Sequence, residues 1–120
     1  MKILVCEDDI MVAKAIEHRL TQESYQIEIA QDGRSAAEKI KNQTYDLIIT
    51  DMMMPFMSGL ELINLLRNQL KRTTPLIVLS KLDNEDSIIE AFNLGADDYI
   101  KKPFSPNELN IRVKRLLLKK

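Results

Sequence analysis

Five strand-like segments alternate strictly with five helix-like ones, and connections of a few residues join them. This predicts an α/β domain: a doubly wound, five-stranded parallel sheet with helices on both faces. Two observations carry the prediction. The segments Lys2–Cys6, Asp46–Thr50 and Pro75–Ser80 are almost unbroken apolar runs, as strands covered on both sides require. Parallel neighbours also need crossovers long enough to hold a helix, and right-handed crossovers place those helices on either side of the sheet.

The first strand, KILVC, stops abruptly at Glu7-Asp8-Asp9, and Asp9 suits a helix cap. From Ile10 to Gln22, Val12, Ala13, Ile16 and Leu20 recur at helical spacing. Gln26–Ala30 (QIEIA) alternates, as a strand near a sheet edge does. Asp32-Gly33 opens a second helix marked by Ala36, Ala37 and Ile40. The third strand, Asp46–Thr50, delivers Asp51 at its tip; Pro55, Ser58 and Gly59 then end the extended run. Ser58 and Glu61 have capping-box spacing at the head of a third helix carrying Leu62, Ile63, Leu65, Leu66 and Leu70. After the fourth strand, Asp83 is placed to cap a helix that uses Ile88, Ile89 and Phe92, with Gly95 just past its end. Asp98–Lys102 reads as the fifth strand. Ser105-Pro106-Asn107-Glu108 is a second capping box, leading into a helix that buries Leu109, Val113, Leu116 and Leu117.

At 120 residues the chain fits one domain spanning 1–120. Seventeen basic residues against 18 acidic ones give a net charge of −1, which argues against a general nucleic-acid or membrane surface. The basic residues Arg112, Lys114, Arg115, Lys119 and Lys120 complement the C-terminal dipole of the last helix. A lone cysteine, Cys6, excludes an internal disulfide framework and reads as a small buried hydrophobe. No apolar run has transmembrane length and no signal peptide is visible, so the expected location is cytoplasmic, without membrane contact.

Ligands of open α/β sheets bind outside the carboxyl ends of the strands. Here those ends carry Glu7, Asp8 and Asp9, then Asp51, then Ser80, then Lys102. If the first and third strands are neighbours, their carboxylates converge and repel unless a cation joins them. Hard oxygen donors with open positions suit Mg²⁺. Asp51 has little packing value on a buried strand and is the first residue to suspect of chemistry. His18 lies on a helix far from this group in sequence, and Met52 to Met54 beside hard oxygen ligands do not describe a copper site.

Glu7-Asp8, Asp51, Ser80, Tyr99 and Lys102-Pro103 together resemble the signature of the receiver domain of two-component response regulators, over essentially the whole chain. The resemblance implies a flavodoxin-like sheet of order 2-1-3-4-5 and a phosphorylation-dependent switch rather than a turnover enzyme. Asp51 would be the phosphoacceptor for a sensor histidine kinase, with Asp8, Asp51 and the Met53 backbone carbonyl as Mg²⁺ ligands and Glu7 acting through a metal-bound water. Lys102 would pair with a phosphoryl oxygen, Ser80 would offer it a hydroxyl, and Tyr99 would turn inward as Ser80 moves. The Lys102–Pro103 bond would be cis.

The stretch from Gly95 to Pro106 is similar to the OmpR/PhoB subfamily, which implies a phosphorylation-favoured homodimer through the fourth helix, fifth strand and fifth helix. The residues that match are Asp97, Asp98, Glu108, Arg112 and Arg115, with Asp98 facing Arg112 and Asp97 facing Arg115 or Lys119. The usual basic partner of Glu108 falls at Ile88. A second departure is Lys81, where a small residue usually follows the switch hydroxyl, and it suggests an altered phosphoryl lifetime. Subfamily members carry a DNA-binding effector domain after the receiver, which this chain does not contain; the alternative is a stand-alone receiver acting by protein contact. A flavodoxin-like cofactor carrier would need a phosphate-binding first loop, which Glu7-Asp8-Asp9 would repel. An aspartyl-phosphate phosphatase would place its nucleophile after the first strand in a D-x-D pattern, which is missing.

Overall fold

The computed structural model describes residues 1–82 and 84–118. Five strands, β1 (Lys2–Cys6), β2 (Gln26–Ala30), β3 (Leu47–Asp51), β4 (Leu76–Ser80) and β5 (Asp98–Lys101), form one sheet in the order β2-β1-β3-β4-β5. All four pairings are parallel. The helices are α1 (Ile10–Thr21), α2 (Gly33–Asn42), α3 (Gly59–Asn64), α4 (Glu85–Leu94) and α5 (Pro106–Leu118).

Alternation along the strands builds two cores. Ile3, Val5, Leu47, Ile49, Ile77 and Leu79 point to the face covered by α1 and α5. Leu4, Cys6, Ile48, Leu76 and Val78 point to the face covered by α2, α3 and α4. Both faces of β3 and β4 are buried, which is why those segments read as continuous apolar runs. A fully buried aliphatic side chain contributes about 1.5–3 kcal/mol, so the two layers together hold the sheet in register.

Four local differences from the sequence reading matter. β3 begins at Leu47 and includes Asp51, so the key carboxylate sits on the last ladder position rather than past the strand. Asp46 instead accepts from the Lys2 amide at 2.7 Å and ties β3 to the start of β1. α4 is capped by Asn84, whose side chain accepts from Ser87 N; the expected cap, Asp83, lies outside the described residues. α4 buries only Ala91 and leaves Ile89 and Phe92 exposed, so its apolar face is largely turned outward. Asp9, which suits a cap in sequence, caps α1, and Asp32 caps α2, the helix that Asp32-Gly33 was read to open. At α5 only half of the second box forms: Glu108 N donates to Ser105 Oγ, while the Glu108 carboxylate turns to Arg112.

The fourth difference is a wide π turn over Leu65–Gln69 that continues α3. It carries Arg67, whose guanidinium donates to the Gly95 carbonyl (3.1 and 3.0 Å), the Arg72 carbonyl (3.0 Å) and the Asp97 carboxylate (3.0 Å). Such π turns are uncommon and frequently mark positions where a side chain must be redirected. Here it fastens the end of α3 to the corner between α4 and β5.

The loop after β3 is held by two close backbone approaches. A Cβ on Gly59 would lie 2.4 Å from the Asp51 carbonyl oxygen, and one on Gly33 would lie 2.0 Å from the Met57 carbonyl oxygen. Gly33 N also donates to the Pro55 carbonyl, so α2 grips this loop from the side. Gly33→Ala adds helix propensity worth up to about 1 kcal/mol, but the clash is with backbone that cannot swing aside. The variant is expected to lose about 1–3 kcal/mol of stability in a urea titration; an unchanged midpoint would contradict this bracing.

Candidate functional site: a carboxylate cavity at the strand ends

Strand register alone assembles the site. Cys6 lies level with Thr50, Asp51 with Leu79, and Ser80 with Lys101, so the residues at or just beyond the carboxyl ends share one edge. Glu7 follows β1 and its amide donates to the Ala30 carbonyl, which continues the strand direction by one residue. A cavity of roughly 470 Å³ opens there, walled by Glu7, Asp8, Asp51, Ser80, Lys81 and Lys102. Met53 also lines it.

The centre of the cavity is Lys102. Its ammonium donates to Glu7 Oε1 at 2.6 Å and to Asp51 Oδ2 at 2.9 Å. Glu7 is fully buried, Asp51 almost so, and Asp8 is exposed. Burial pushes the Glu7 carboxyl above its ordinary value; the Lys102 hydrogen bond opposes the rise and neighbouring Asp51 adds to it. For Lys102, burial alone would lower the ammonium, but its bonds to Glu7 and Asp51 outweigh burial and hold it above the ordinary lysine value. The expected mutual repulsion of the carboxylates is therefore relieved in part from within the chain. The Lys102–Pro103 peptide is cis, as the resemblance implied.

One oxygen each from Glu7, Asp8 and Asp51 fits within a group no more than 4.8 Å across. Three hard oxygen donors at that spacing are the donor set a Mg²⁺ ion takes, and it leaves coordination positions free. Met53, which lines the same cavity, is an exposed residue. Asp9, by contrast, is spent on capping α1, accepting from the amides of Met11 and Val12.

Ser80 and Tyr99, the residues expected to form a switch, meet through Leu82. Ser80 Oγ accepts from Leu82 N at 3.0 Å, and the Tyr99 hydroxyl donates to the Leu82 carbonyl at 2.7 Å. Ser80 also reaches Met52 Sδ at 3.8 Å, a weak contact. Leu82 therefore joins the two hydroxyls across the loop between β4 and α4. The strand-end position pointed to Ser80 and the resemblance to Tyr99, but neither held a sign of Leu82, because the joining groups are backbone.

Of the residues assigned to a dimer face, four form one network inside the chain. Buried Asp98 accepts from Arg112 at 2.8 Å and from Arg115 at 3.1 Å, and Arg112 also meets Glu108 at 3.3 Å. Asp97 stands apart: its carboxylate is engaged by Arg67 and by the Leu76 amide. Lys119, the other expected partner of Asp97, lies outside the described residues. Cys6 is buried, and desolvation pushes its thiol up to about 12 despite a hydrogen bond with Thr50, so it is an inert part of the core. His18 is exposed on α1.

Comparison with known proteins agrees with this geometry. The family model for the response regulator receiver domain matches residues 3–114. The transcriptional regulatory protein ResD of Bacillus subtilis is 40% identical over 116 residues, covering 97% of this chain and 48% of that protein. The response regulator ArlR of Staphylococcus saprophyticus is 39% identical, covering 97% and 52%. The chain thus spans about half the length of these curated relatives. Among solved structures, the Francisella response regulator 1452 receiver domain superposes with a TM-score of 0.93 at 40% identity, covering 98% of this chain and 97% of that one. The chemotaxis response regulator CheY4 of Vibrio cholerae gives 0.89 at 32% identity, covering 96% and 97%.

The raised Glu7 carboxyl has a consequence for stability. The fold holds this proton more tightly than the unfolded chain does, so Glu7 contributes stability below its unfolded value, and that contribution is lost as pH rises from about 4.5 through the raised folded value. In metal-free buffer, the unfolding free energy of the wild type minus that of Glu7→Gln is expected to fall across that rise. A difference that stays flat would contradict the assignment.

Proposed function

The chain belongs to the response regulator receiver family, and from that premise we propose that Asp51 is its phosphoacceptor, loaded by a phosphohistidine of a sensor histidine kinase. The observation that carries the reading is the company Asp51 keeps. Its carboxylate is fixed on the last position of a buried strand, held by Lys102 on one oxygen, in a cavity that Ser80 also lines. A carboxylate oxygen attacks phosphorus, the P–N bond of the donor breaks, and the imidazole nitrogen leaves with the electron pair, so the acceptor needs no base. Such transfers depend on positioning and on neutralising the oxygens, and Lys102 is placed to do both.

Asp8, Asp51 and the Met53 carbonyl are the groups to hold Mg²⁺, with Glu7 behind them through water. When bound, the ion neutralises phosphoryl oxygens and anchors them beside the acceptor. The donor has an approach: a groove of roughly 660 Å³, lined by Met11, Val12, Ala15, Ile16, Phe104 and Pro106, runs beside the cavity. Val12, Lys81 and Lys102 belong to both spaces, so a kinase helix lying in the groove would bring its phosphohistidine to Asp51.

The response would start at Ser80. A phosphoryl oxygen that draws the Ser80 hydroxyl takes it from Leu82 N, and the carbonyl of the same residue holds Tyr99. Releasing Leu82 frees Tyr99 to turn and remodels α4, a shift between two pre-existing conformations. The exposed Ile89 and Phe92 on α4 and Ile111 on α5 flank the Asp98, Arg112, Arg115 network, which supports dimerisation through this face with Asp97 and Glu108 at its edge. The output would pass to a DNA-binding effector domain of the kind OmpR/PhoB relatives carry. The same reading places the chain in the cytoplasm; no helix of the described residues is long and apolar enough to cross a membrane.

Acetyl phosphate with Mg²⁺ should add one phosphoryl group to the wild type and none to Asp51→Asn, read by intact mass. Uptake undiminished in Asp51→Asn would remove Asp51 from the role. With beryllofluoride and Mg²⁺, sedimentation velocity should show a shift toward a dimer, weakened by Arg115→Ala. A sedimentation coefficient indifferent to beryllofluoride would refute the dimer.

A further inference from the structure

Lys81 follows Ser80 directly and begins the loop between β4 and α4. It is exposed, and its ammonium makes no hydrogen bond or ion pair among the described residues. Lys81 nevertheless lines the acidic cavity together with Asp8, Asp51 and Lys102, and it also lines the apolar groove beside α1. Two lysines therefore face the cavity, and they differ in commitment. Lys102 is bound to Glu7 and Asp51. Lys81 is uncommitted and stands where groove and cavity join.

An exposed lysine on a rim is ordinarily a solvated charge. What argues for more is the pairing of an unengaged ammonium with a cavity whose one other cation is already shared by two carboxylates. A phosphoryl group entering there brings further negative charge and oxygens that Lys102 alone cannot all meet. We propose that Lys81 is a second phosphoryl-binding cation of this site, pairing with a peripheral oxygen of the incoming group and thereby setting how fast small acyl phosphates load Asp51. The inference rests on Asp51 as the phosphoacceptor. With acetyl phosphate, Asp51 forms a P–O bond, the bond from phosphorus to the acetyl oxygen breaks, and acetate leaves with the electron pair. No proton moves, so Lys81 acts by charge alone.

Charge and bulk separate cleanly at this position. Lys81→Gln keeps most of the length and removes charge, Lys81→Arg keeps charge, and Lys81→Ala removes both. Initial loading by acetyl phosphate with Mg²⁺, followed by intact mass in the whole chain, is expected to slow about two- to five-fold in Lys81→Gln at low ionic strength, the size of an exposed ion pair. Lys81→Arg should stay within about two-fold of wild type, and the difference should fade at high salt as the charge is screened. Lys81→Gln loading as fast as wild type at low salt overturns the proposal. So does equal slowing in Gln and Arg, or a difference that salt leaves unchanged, because either would mean shape rather than charge. Asp51→Asn, run alongside, keeps the two readings apart: undiminished uptake there, or none in the wild type, defeats the phosphoacceptor assignment itself and the role of Lys81 with it.

Discussion

The site depends on one ammonium shared by two carboxylates. Lys102 lies between Glu7 and Asp51, one of them fully buried, and without it the ends of β1 and β3 would set two negative charges side by side in a low dielectric. Burying charge is tolerated only when it is paired and hydrogen-bonded, and Lys102 supplies both conditions. It does not complete the balance. Asp8 joins the same group, so three carboxylates gather at a cavity in which the one engaged lysine meets only two of them. On the proposed reading, that imbalance is what a divalent cation, and then a phosphoryl group, would answer.

The rest of the fold keeps this arrangement rigid on one side and adjustable on the other. Glu7 and Asp51 are set by strand register, and the loop after Asp51 is pressed into place by Gly59 and Gly33. On the far side of the cavity Ser80 and Tyr99 each hold Leu82 by one hydrogen bond, and Leu82 is itself exposed. Arg67 draws a boundary to this adjustable region by clamping the corner between α4 and β5. On the proposed reading, a change at Ser80 would act on α4 against this anchored corner.

Much of this was legible in the sequence, for a physical reason. Buried parallel strands must be apolar on both faces, so β1, β3 and β4 announce themselves, and a carboxylate at the end of such a run has no packing role to explain it. Ser58, Asp9 and Asp32 were readable as caps because capping is local. What stayed hidden depends on contacts distant in sequence. Lys102 and Glu7 are 95 residues apart; the strand-end rule set both at one edge of the sheet, but that they would bond had no sequence signal. Hydrophobic spacing gave no sign of the π turn under Arg67, because the period of the apolar residues does not report the hydrogen-bond register. The same spacing placed Ile89 and Phe92 inward, whereas α4 packs through Ala91 and leaves both exposed. The resemblance set Asp97 against Arg115 or Lys119, yet within the chain Arg67 and the Leu76 amide already hold it.

The imbalance at the cavity can be measured without any phosphoryl donor. Backbone amide spectra recorded through a Mg²⁺ titration should show saturable shifts confined at first to Glu7, Asp8 and Asp9 and to Asp51, Met52 and Met53, and Asp8→Asn should weaken the apparent affinity at least about tenfold, as loss of a metal-binding group does. Amides at those positions that stay still at millimolar Mg²⁺, or an affinity that Asp8→Asn leaves intact, would contradict the account.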